Sequence, residues 1–117
     1  MIPQDTLEHF ENAIYLPMLI IILERDALTI EGTQLKFKRP YAKMIDQALK
    51  HAHSELKKTN IYLLGNNMKL IKFNSDKNVT EFIFSSVVFE ERRKYLNSDL
   101  KVSTEEIMGE YLAKFEI

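Results

Sequence analysis

The sequence contains no cysteine, only three glycines and only three prolines in 117 residues. The absence of cysteine excludes disulfide bonds, thiol nucleophiles and cysteine-based zinc sites, and it is typical of a cytoplasmic protein. The scarcity of glycine and proline favours long regular elements, chiefly helices, over a many-turned β-sandwich. With 45% apolar and 28% charged residues, we expect one compact domain over residues 1–117.

The residue patterns of catalytic and metal sites are also missing. His51 and His53 are two residues apart on a predicted helix, so they point in different directions and cannot bind one metal ion together. His51 and Glu55 share a helix face, which is typical of a surface contact. The glycines are too scattered for a phosphate-binding loop, and Ser85-Ser86 lacks the glycines of a nucleophile elbow. We therefore predict a protein that is not an enzyme and has no cofactor, metal or small-molecule substrate.

The longest apolar run is too short to cross a membrane. It covers the eleven residues from Ala13 to Leu23, with Pro17 inside it, whereas a membrane helix needs roughly 18 to 20 apolar residues. Acidic residues precede the run where a signal peptide would carry positive charge, and no cleavage site follows. The run therefore predicts a buried core helix and no membrane partner.

Two long helices are predicted in the first half of the chain. Apolar residues recur at helical spacing after Asp5, and Gly32 is a natural end for this first helix. Pro17 lacks the N–H that a helix interior needs, so we expect it to bend or to divide the first helix. The second helix begins at Pro40 and keeps an apolar stripe as far as Leu64, where Gly65-Asn66-Asn67 ends it.

A β-hairpin is predicted after the second helix. Residues 68–73 and 79–89 are rich in β-branched and aromatic residues, and a polar loop at 74–78 separates them. Both faces of the second strand carry large apolar groups, so we expect cover on both sides of the hairpin. A two-stranded ribbon alone is marginal in water, and the segment Leu35–Lys38 is the candidate for a third short strand.

The last part of the chain is predicted to be helical. Residues 89–96, "FEERRKYL", suggest a helical turn, and Ser103 with Glu106 forms a capping-box pattern that begins the C-terminal helix. The predicted fold class is therefore α+β and mostly helical. It comprises a bent N-terminal helix, a long second helix, a β-hairpin with a possible third strand, and a C-terminal helix.

The net charge of −1 conceals a strong asymmetry along the chain. Residues 1–31 carry a balance of −5, residues 32–78 a balance of +7, and residues 79–117 a balance of −3. One interpretation of the basic middle is a nucleic-acid surface of winged-helix type, in which the hairpin is the wing. The other is that the lysines solvate exposed faces or oppose the acidic segments within the fold or a dimer. The candidate nucleic-acid-binding residues are Lys36, Lys38, Arg39, Lys43, Lys69, Lys72 and Lys77.

Two phenylalanines allow two interpretations. Phe82 and Phe84 lie on the same face of the second predicted strand, where they could stack on the bases of a single-stranded nucleic acid. The chain also needs large apolar side chains to build its core, and we therefore predict that both are core residues.

Two strings resemble a known family. "AIYLPMLIIILERD" (13–26) and "LKFKRPY" (35–41) together resemble the YhjD-like proteins, small proteins of spore-forming bacilli. The likeness extends through the hairpin and covers most of the chain, but it contains no catalytic residue. The resemblance implies a bacterial or phage protein that is cytoplasmic and not secreted, and it implies no site.

Taken together, the residues predict a small binding or regulatory module. The first helix is apolar on nearly all of its sides, and the predicted strands carry large apolar groups on both faces. This surplus of apolar surface predicts protein–protein contacts and a homodimer. The alternative is a nucleic-acid-binding regulator that uses the basic segment 36–77.

Overall fold

A computed structural model describes residues 2–115, which form three helices and one three-stranded antiparallel sheet. Helices α1 (Gln4–Glu31) and α2 (Lys38–Gly65) run antiparallel as a long hairpin. The strands β1 (Lys69–Ser75), β2 (Val79–Ser85) and β3 (Glu90–Leu96) follow in the spatial order β1-β2-β3, and helix α3 (Asn97–Ala113) completes the fold. This confirms the predicted α+β class and the order of its main elements.

Helix α1 is one continuous helix that includes Pro17. Pro17 therefore does not divide it, although the missing N–H removes one backbone hydrogen bond. The helix ends at Gly32 as predicted, with Gly32 in the right-handed helical region. Its buried side chains include Phe10 and Leu19, both fully buried, which confirms the prediction of a core helix.

Helix α2 ends where the sequence predicts. Asn67 adopts a positive φ of 55°, a conformation that asparagine tolerates better than most residues. This turn lets the Met68 N–H donate to the Leu63 carbonyl at 2.8 Å, while the Asn66 N–H still donates to the Tyr62 carbonyl in the helical pattern at 3.1 Å. The last carbonyls of α2 are thus satisfied before the chain enters the sheet.

The third strand is not the predicted one. Leu35 to Phe37 form the loop between α1 and α2, with Lys38 already helical, and α2 is about 42 Å long at ~1.5 Å per residue. The loop therefore lies at the end of the hairpin away from the sheet and cannot pair with it. The third strand is instead Glu90–Leu96, for which a helical turn was predicted. Its charged residues are tolerated because an edge strand has a solvated side.

Two turns of the same kind connect the strands. The Asp76 carboxylate accepts the N–H groups of Asn78 and Val79, both at 2.8 Å. The Ser86 hydroxyl accepts the N–H groups of Val88 and Phe89 at 3.1 and 3.2 Å. Because Ser86 begins a turn, β2 ends at Ser85. The prediction that this strand runs to residue 89 is therefore wrong.

Helix α3 begins earlier than its capping-box pattern predicts. The backbone N–H of Asn97 donates to the Asn78 carbonyl, and its side-chain amide donates to the Asp76 carbonyl at 2.9 Å. Its amide oxygen accepts the Thr80 hydroxyl at 2.7 Å. These tertiary bonds fix the helix start at Asn97, and Ser103 lies inside the helix.

The core consists of two clusters that share α1. One lies between the first half of α1 and the sheet, where the rings of Phe10 and Phe84 stack at a centroid distance of 4.5 Å. The other lies between the second half of α1, α2 and α3. Phe82 and Phe84 are both buried in the first cluster, which confirms the prediction that they are core residues.

The sheet has cover on one face only, so the prediction of cover on both sides is wrong for the described chain. Thr80, Phe82 and Phe84 are buried under the helices, whereas the alternate residues of β2 face outward and are partly exposed. Antiparallel sheets commonly have one covered face and one solvated face. We call the uncovered side the outer face of the sheet.

The aromatic stack in the first cluster generates a stability prediction. Phe84→Ala should lower the free energy of unfolding by about 3–5 kcal/mol, because it removes a fully buried ring and leaves a cavity against Phe10. Phe73→Ala, on the outer face, is the matched control and should cost under about 1 kcal/mol. Urea titration followed by circular dichroism measures both. Phe84→Leu leaves a smaller cavity and should fall between them, and equal losses for Phe84 and Phe73 would contradict this packing.

The β1–β2 turn generates a pH prediction. The N–H groups of Asn78 and Val79 hold the pKa of the Asp76 carboxyl below its usual value. A depressed pKa adds stability that is present above the unfolded pKa, about 3.9, and is lost as pH falls through the folded pKa. The sheet should therefore lose stability in this acid range, measured by thermal melts between about pH 2 and 6. Asp76→Asn keeps an acceptor but does not titrate, so this part of the pH dependence should disappear.

Candidate functional site

The structure divides the seven candidate basic residues into two groups. Lys36 lies in the loop between α1 and α2, and Lys38, Arg39 and Lys43 lie in the first two turns of α2. The other three follow α2 and lie on β1 or in the turn after it. The length of α2, about 42 Å, separates the two groups, so they do not form one continuous surface. The second group comprises Lys69, Lys72 and Lys77.

The second group does not share a face of the sheet. Lys69 pairs with Ser85 and lies on the outer face, whereas Lys72 pairs with the buried Phe82 and lies on the covered side at the sheet edge. Lys77 lies in the β1–β2 turn. The three lysines therefore do not face one nucleic-acid backbone together, as the predicted wing requires.

The first group lies on a surface that we call the hairpin tip, residues 32–45. Its exposed side chains include Leu35, Phe37 and Tyr41. The Lys38 ammonium donates to the Glu31 carbonyl at 2.8 Å, which satisfies the C-terminal end of α1. A groove of about 820 Å³ opens here between the end of α1 and the start of α2. Its lining combines apolar side chains with charges of both signs: Ala27, Ile30, Phe37, Pro40 and Ala42, the cations Lys36, Lys38 and Arg39, and the carboxylates Glu31 and Asp46.

His51 is held in a structural contact. Its ring lies 4.9 Å from the Tyr111 ring, and its Nε2 atom is 3.3 Å from the Lys114 ammonium and 3.9 Å from a Glu55 carboxylate oxygen. The predicted proximity of His51 and Glu55 is confirmed. Because an ammonium can only donate, Nε2 is the acceptor in the contact with Lys114. Burial raises the pKa of the Tyr111 phenol, and the carboxylates of Glu55 and Glu110 add to this shift.

A polar cluster between α1 and α2 was not predicted. His9 Nδ1 lies 3.1 Å from the Thr59 hydroxyl, to which the Asn12 amide donates at 3.3 Å. The His9 ring stacks on Tyr62 at 3.9 Å, and the Tyr62 hydroxyl bonds to Thr6 at 2.9 Å. The only sequence signal is a pair of polar residues three apart on each helix. Whether these residues meet depends on how α1 and α2 are aligned along their length, and the hydrogen bonds between them help to fix that alignment.

A shallow groove of about 310 Å³ between α1 and α3 is acidic. It has carboxylates from both helices, with Tyr15 and Ile107 beside them. Within residues 2–115, no three histidine, aspartate or glutamate side chains converge in a way that could hold a metal ion. The carboxylates are those of Glu8, Glu11, Glu106 and Glu110.

The outer face of the sheet carries an apolar strip. Ile71 of β1 pairs with Ile83 of β2, and Phe73 stands out of the ladder as a bulge. Ile71 is 37% exposed and Phe73 is 40% exposed. The Arg92 guanidinium lies 5.0 Å from the centre of the Phe73 ring, and Leu96 is exposed at the end of β3. Such a strip is available for contact with a partner.

These features define a small α+β protein whose helical hairpin carries a three-stranded sheet at one end and a basic tip at the other. The chain belongs to the YhjD protein family, because the model of that family matches residues 1–116. This confirms the resemblance carried by residues 13–26 and 35–41.

A relative in Bacillus subtilis (strain 168), named "Uncharacterized protein YhjD", is 29% identical over 109 residues. The match covers 93% of this chain and 91% of the relative. No solved structure gives a significant match. Among the helices of the described residues, none is long and apolar enough to cross a membrane.

The polar cluster generates a prediction. Thr59→Val keeps the side-chain shape but leaves His9 and Asn12 without their buried partner, so the free energy of unfolding should fall by about 1–3 kcal/mol. Thr29→Val is the control, because the exposed Thr29 hydroxyl bonds only to a carbonyl of its own helix. It should cost under about 0.5 kcal/mol. Urea titration measures both, and equal losses would show that the cluster does not stabilise the helix pair.

Proposed function

We propose that this protein is a small non-enzymatic binding module that acts in regulation through protein contacts, as a homodimer. The observation that carries the proposal is its surface area. The chain exposes 8183 Å², whereas a compact monomer of its mass exposes about 6,600 Å². The difference of about 1,600 Å² is larger than the ~800 Å² that each partner buries in a standard interface.

The elongated shape accounts for this large surface. The radius of gyration is 16.2 Å and the longest dimension is 54 Å, against about 13 Å for the radius of gyration of a compact domain of this length. The two core clusters lie one after the other along α1. Such an arrangement leaves apolar side chains at the surface that a second copy could cover.

The outer face of the sheet is the surface that best fits a second copy. Its strip of Ile71, Phe73 and Ile83 lies opposite the covered face, and two such faces could stack about 10 Å apart. The β2–β3 turn adds Val87 and Val88, which are both exposed, at one end of the same sheet. Together they form an apolar surface, and in a two-fold symmetric dimer this surface of one copy would face the same surface of the other.

The charges on this face are of mixed sign, which suits contact between identical surfaces. Lys94 and Glu81 are neighbours across the strands at 3.7 Å, and Lys69 and Glu90 both pair with Ser85. In an isologous dimer each residue meets the same surface on the other copy. Rows of both signs can then be placed opposite each other, whereas a face of one sign would repel its copy.

The non-enzymatic part of the proposal rests on how the reactive side chains are used. The Ser86 hydroxyl accepts two backbone N–H groups in a turn. Thr59 is buried in the polar cluster, and His51 is held between Lys114 and an aromatic ring. Each group has a structural partner that explains its position.

Nucleic-acid binding is the second candidate function, and one observation favours it. Lys36, Lys38, Arg39 and Lys43 concentrate positive charge at the hairpin tip, in a stretch where residues 32–45 contain no acidic residue. Unlike the proposed dimer, this function would use the end of the hairpin away from the sheet.

Sedimentation equilibrium at about 5–100 µM tests the proposed dimer. The wild-type protein should have roughly twice the mass of the 13.8 kDa chain. Ile71→Lys should give a monomer, because the added ammonium would have to be buried in the apolar interface, once from each copy. Ile71 lies on an edge strand and is partly exposed, so the fold should tolerate the change.

Leu64→Lys is the matched control. Leu64 is 81% exposed on α2, away from the outer face, and the change adds the same charge. This variant should remain a dimer, and both variants should melt within a few degrees of each other. A monomeric wild type at tens of micromolar would overturn the proposal, and dissociation by Leu64→Lys alone would move the interface to α2.

A further inference from the structure

The hairpin tip carries more positive than negative charge. Residues 32–45 contain four cations and no acidic residue. Within the described part of the chain, none of the four takes part in a salt bridge. Lys38 donates to the carbonyls of Glu31 and Thr33. The other three, Lys36, Arg39 and Lys43, are exposed and lie on consecutive turns around the start of α2.

The tip also exposes an aromatic ring beside a groove. Phe37 is 71% exposed, and the Lys36 ammonium lies 5.6 Å from the centre of its ring. The ring lines the groove of about 820 Å³ whose apolar lining includes Ile30 and Pro40. Two carboxylates also line the groove, and one of them, Asp46, is paired with Lys50 at 3.1 Å. A planar apolar group could enter against Phe37 while its charged substituents stay near Lys36 and Arg39.

We propose that the hairpin tip binds single-stranded nucleic acid. An unstacked base would lie in the groove against the Phe37 ring, and the neighbouring phosphates would contact Lys36, Arg39 and Lys43. Cations that follow the backbone and an exposed aromatic ring that stacks on a base are the two features by which proteins hold single strands. A duplex keeps its bases stacked and paired, so it could use only the cations.

The charge pattern and the groove favour this ligand over the other partners of a basic surface. Two copies that met tip to tip would bring the same four cations together and would be repelled. An anionic lipid surface would use the charge but has no planar group for the groove. The inference rests on the second candidate function, nucleic-acid binding at the tip, and not on the proposed dimer, because the tip and the sheet lie at opposite ends of α2.

Fluorescence anisotropy tests the proposal with a labelled 20-nucleotide single-stranded DNA, the same sequence as RNA, and the DNA duplex. With about three phosphates contacted, the affinity for the single strands should fall about 20-fold between 50 and 200 mM salt. Phe37→Ala should weaken single-strand binding about tenfold, because it removes the stacking ring. The duplex should bind more weakly than the single strands, and Phe37→Ala should not change its affinity.

Two triple variants of equal charge give the matched control. Lys36→Gln with Arg39→Gln and Lys43→Gln should weaken single-strand binding at least 30-fold. Lys69→Gln with Lys72→Gln and Lys77→Gln removes the same charge from the other end of α2 and should weaken it less than threefold. Circular dichroism melts check that both variants remain folded.

Three results would overturn the proposal. Equal losses for the two triple variants would reduce the binding to non-specific attraction by net charge. No binding to any oligonucleotide at 50 mM salt would exclude a nucleic-acid site at the tip. Phe37-dependent binding to vesicles of phosphatidylglycerol, but not to oligonucleotides, would assign the tip to an anionic lipid surface.

Discussion

Helix α1 must be buried along most of its length, because apolar residues occupy nearly all of its sides between Ala13 and Leu23. No single neighbour can cover such a helix. The sheet covers its first half, and α2 with α3 covers its second half, so both core clusters are built on α1. The order of the remaining elements follows from this requirement. The same arrangement spreads the core along one axis and gives the chain its length of 54 Å.

The elements that depend on local pattern could be predicted from the sequence, and those fixed by tertiary contacts could not. The helical periodicity of α1 and α2 and the Asn67 turn are local signals, and each is found in the structure. The start of α3 is set by Asn97, which bonds to a turn about twenty residues earlier. The capping-box pattern at Ser103 carries no information about that contact. The charges of β3 likewise conceal a strand, because they suit both a solvated edge and a helix surface.

The candidate residues illustrate the same limit. Composition correctly shows that residues 32–78 are basic, but it does not show how the charges are distributed in space. The unbroken helix α2 decides this, since its length of about 42 Å separates the group that contains Lys36 from the group that contains Lys69. The sequence also gives no reason to single out Phe37 among twelve aromatic residues. Its significance comes from its exposure beside a groove, which depends on how α1 and α2 meet.

The sign of the charge separates the two surfaces by the kind of partner that each could accept. The outer face of the sheet has both signs, so an identical face can oppose it without net repulsion. The hairpin tip has four cations between residues 32 and 45 against the two carboxylates that flank this stretch, so its excess of positive charge favours an anionic partner. Since α2 holds these surfaces at opposite ends, a dimer joined through its sheets would keep both tips free. Self-association would then present two basic tips on one particle, and a ligand long enough to reach both would bind more tightly than one that reaches a single tip.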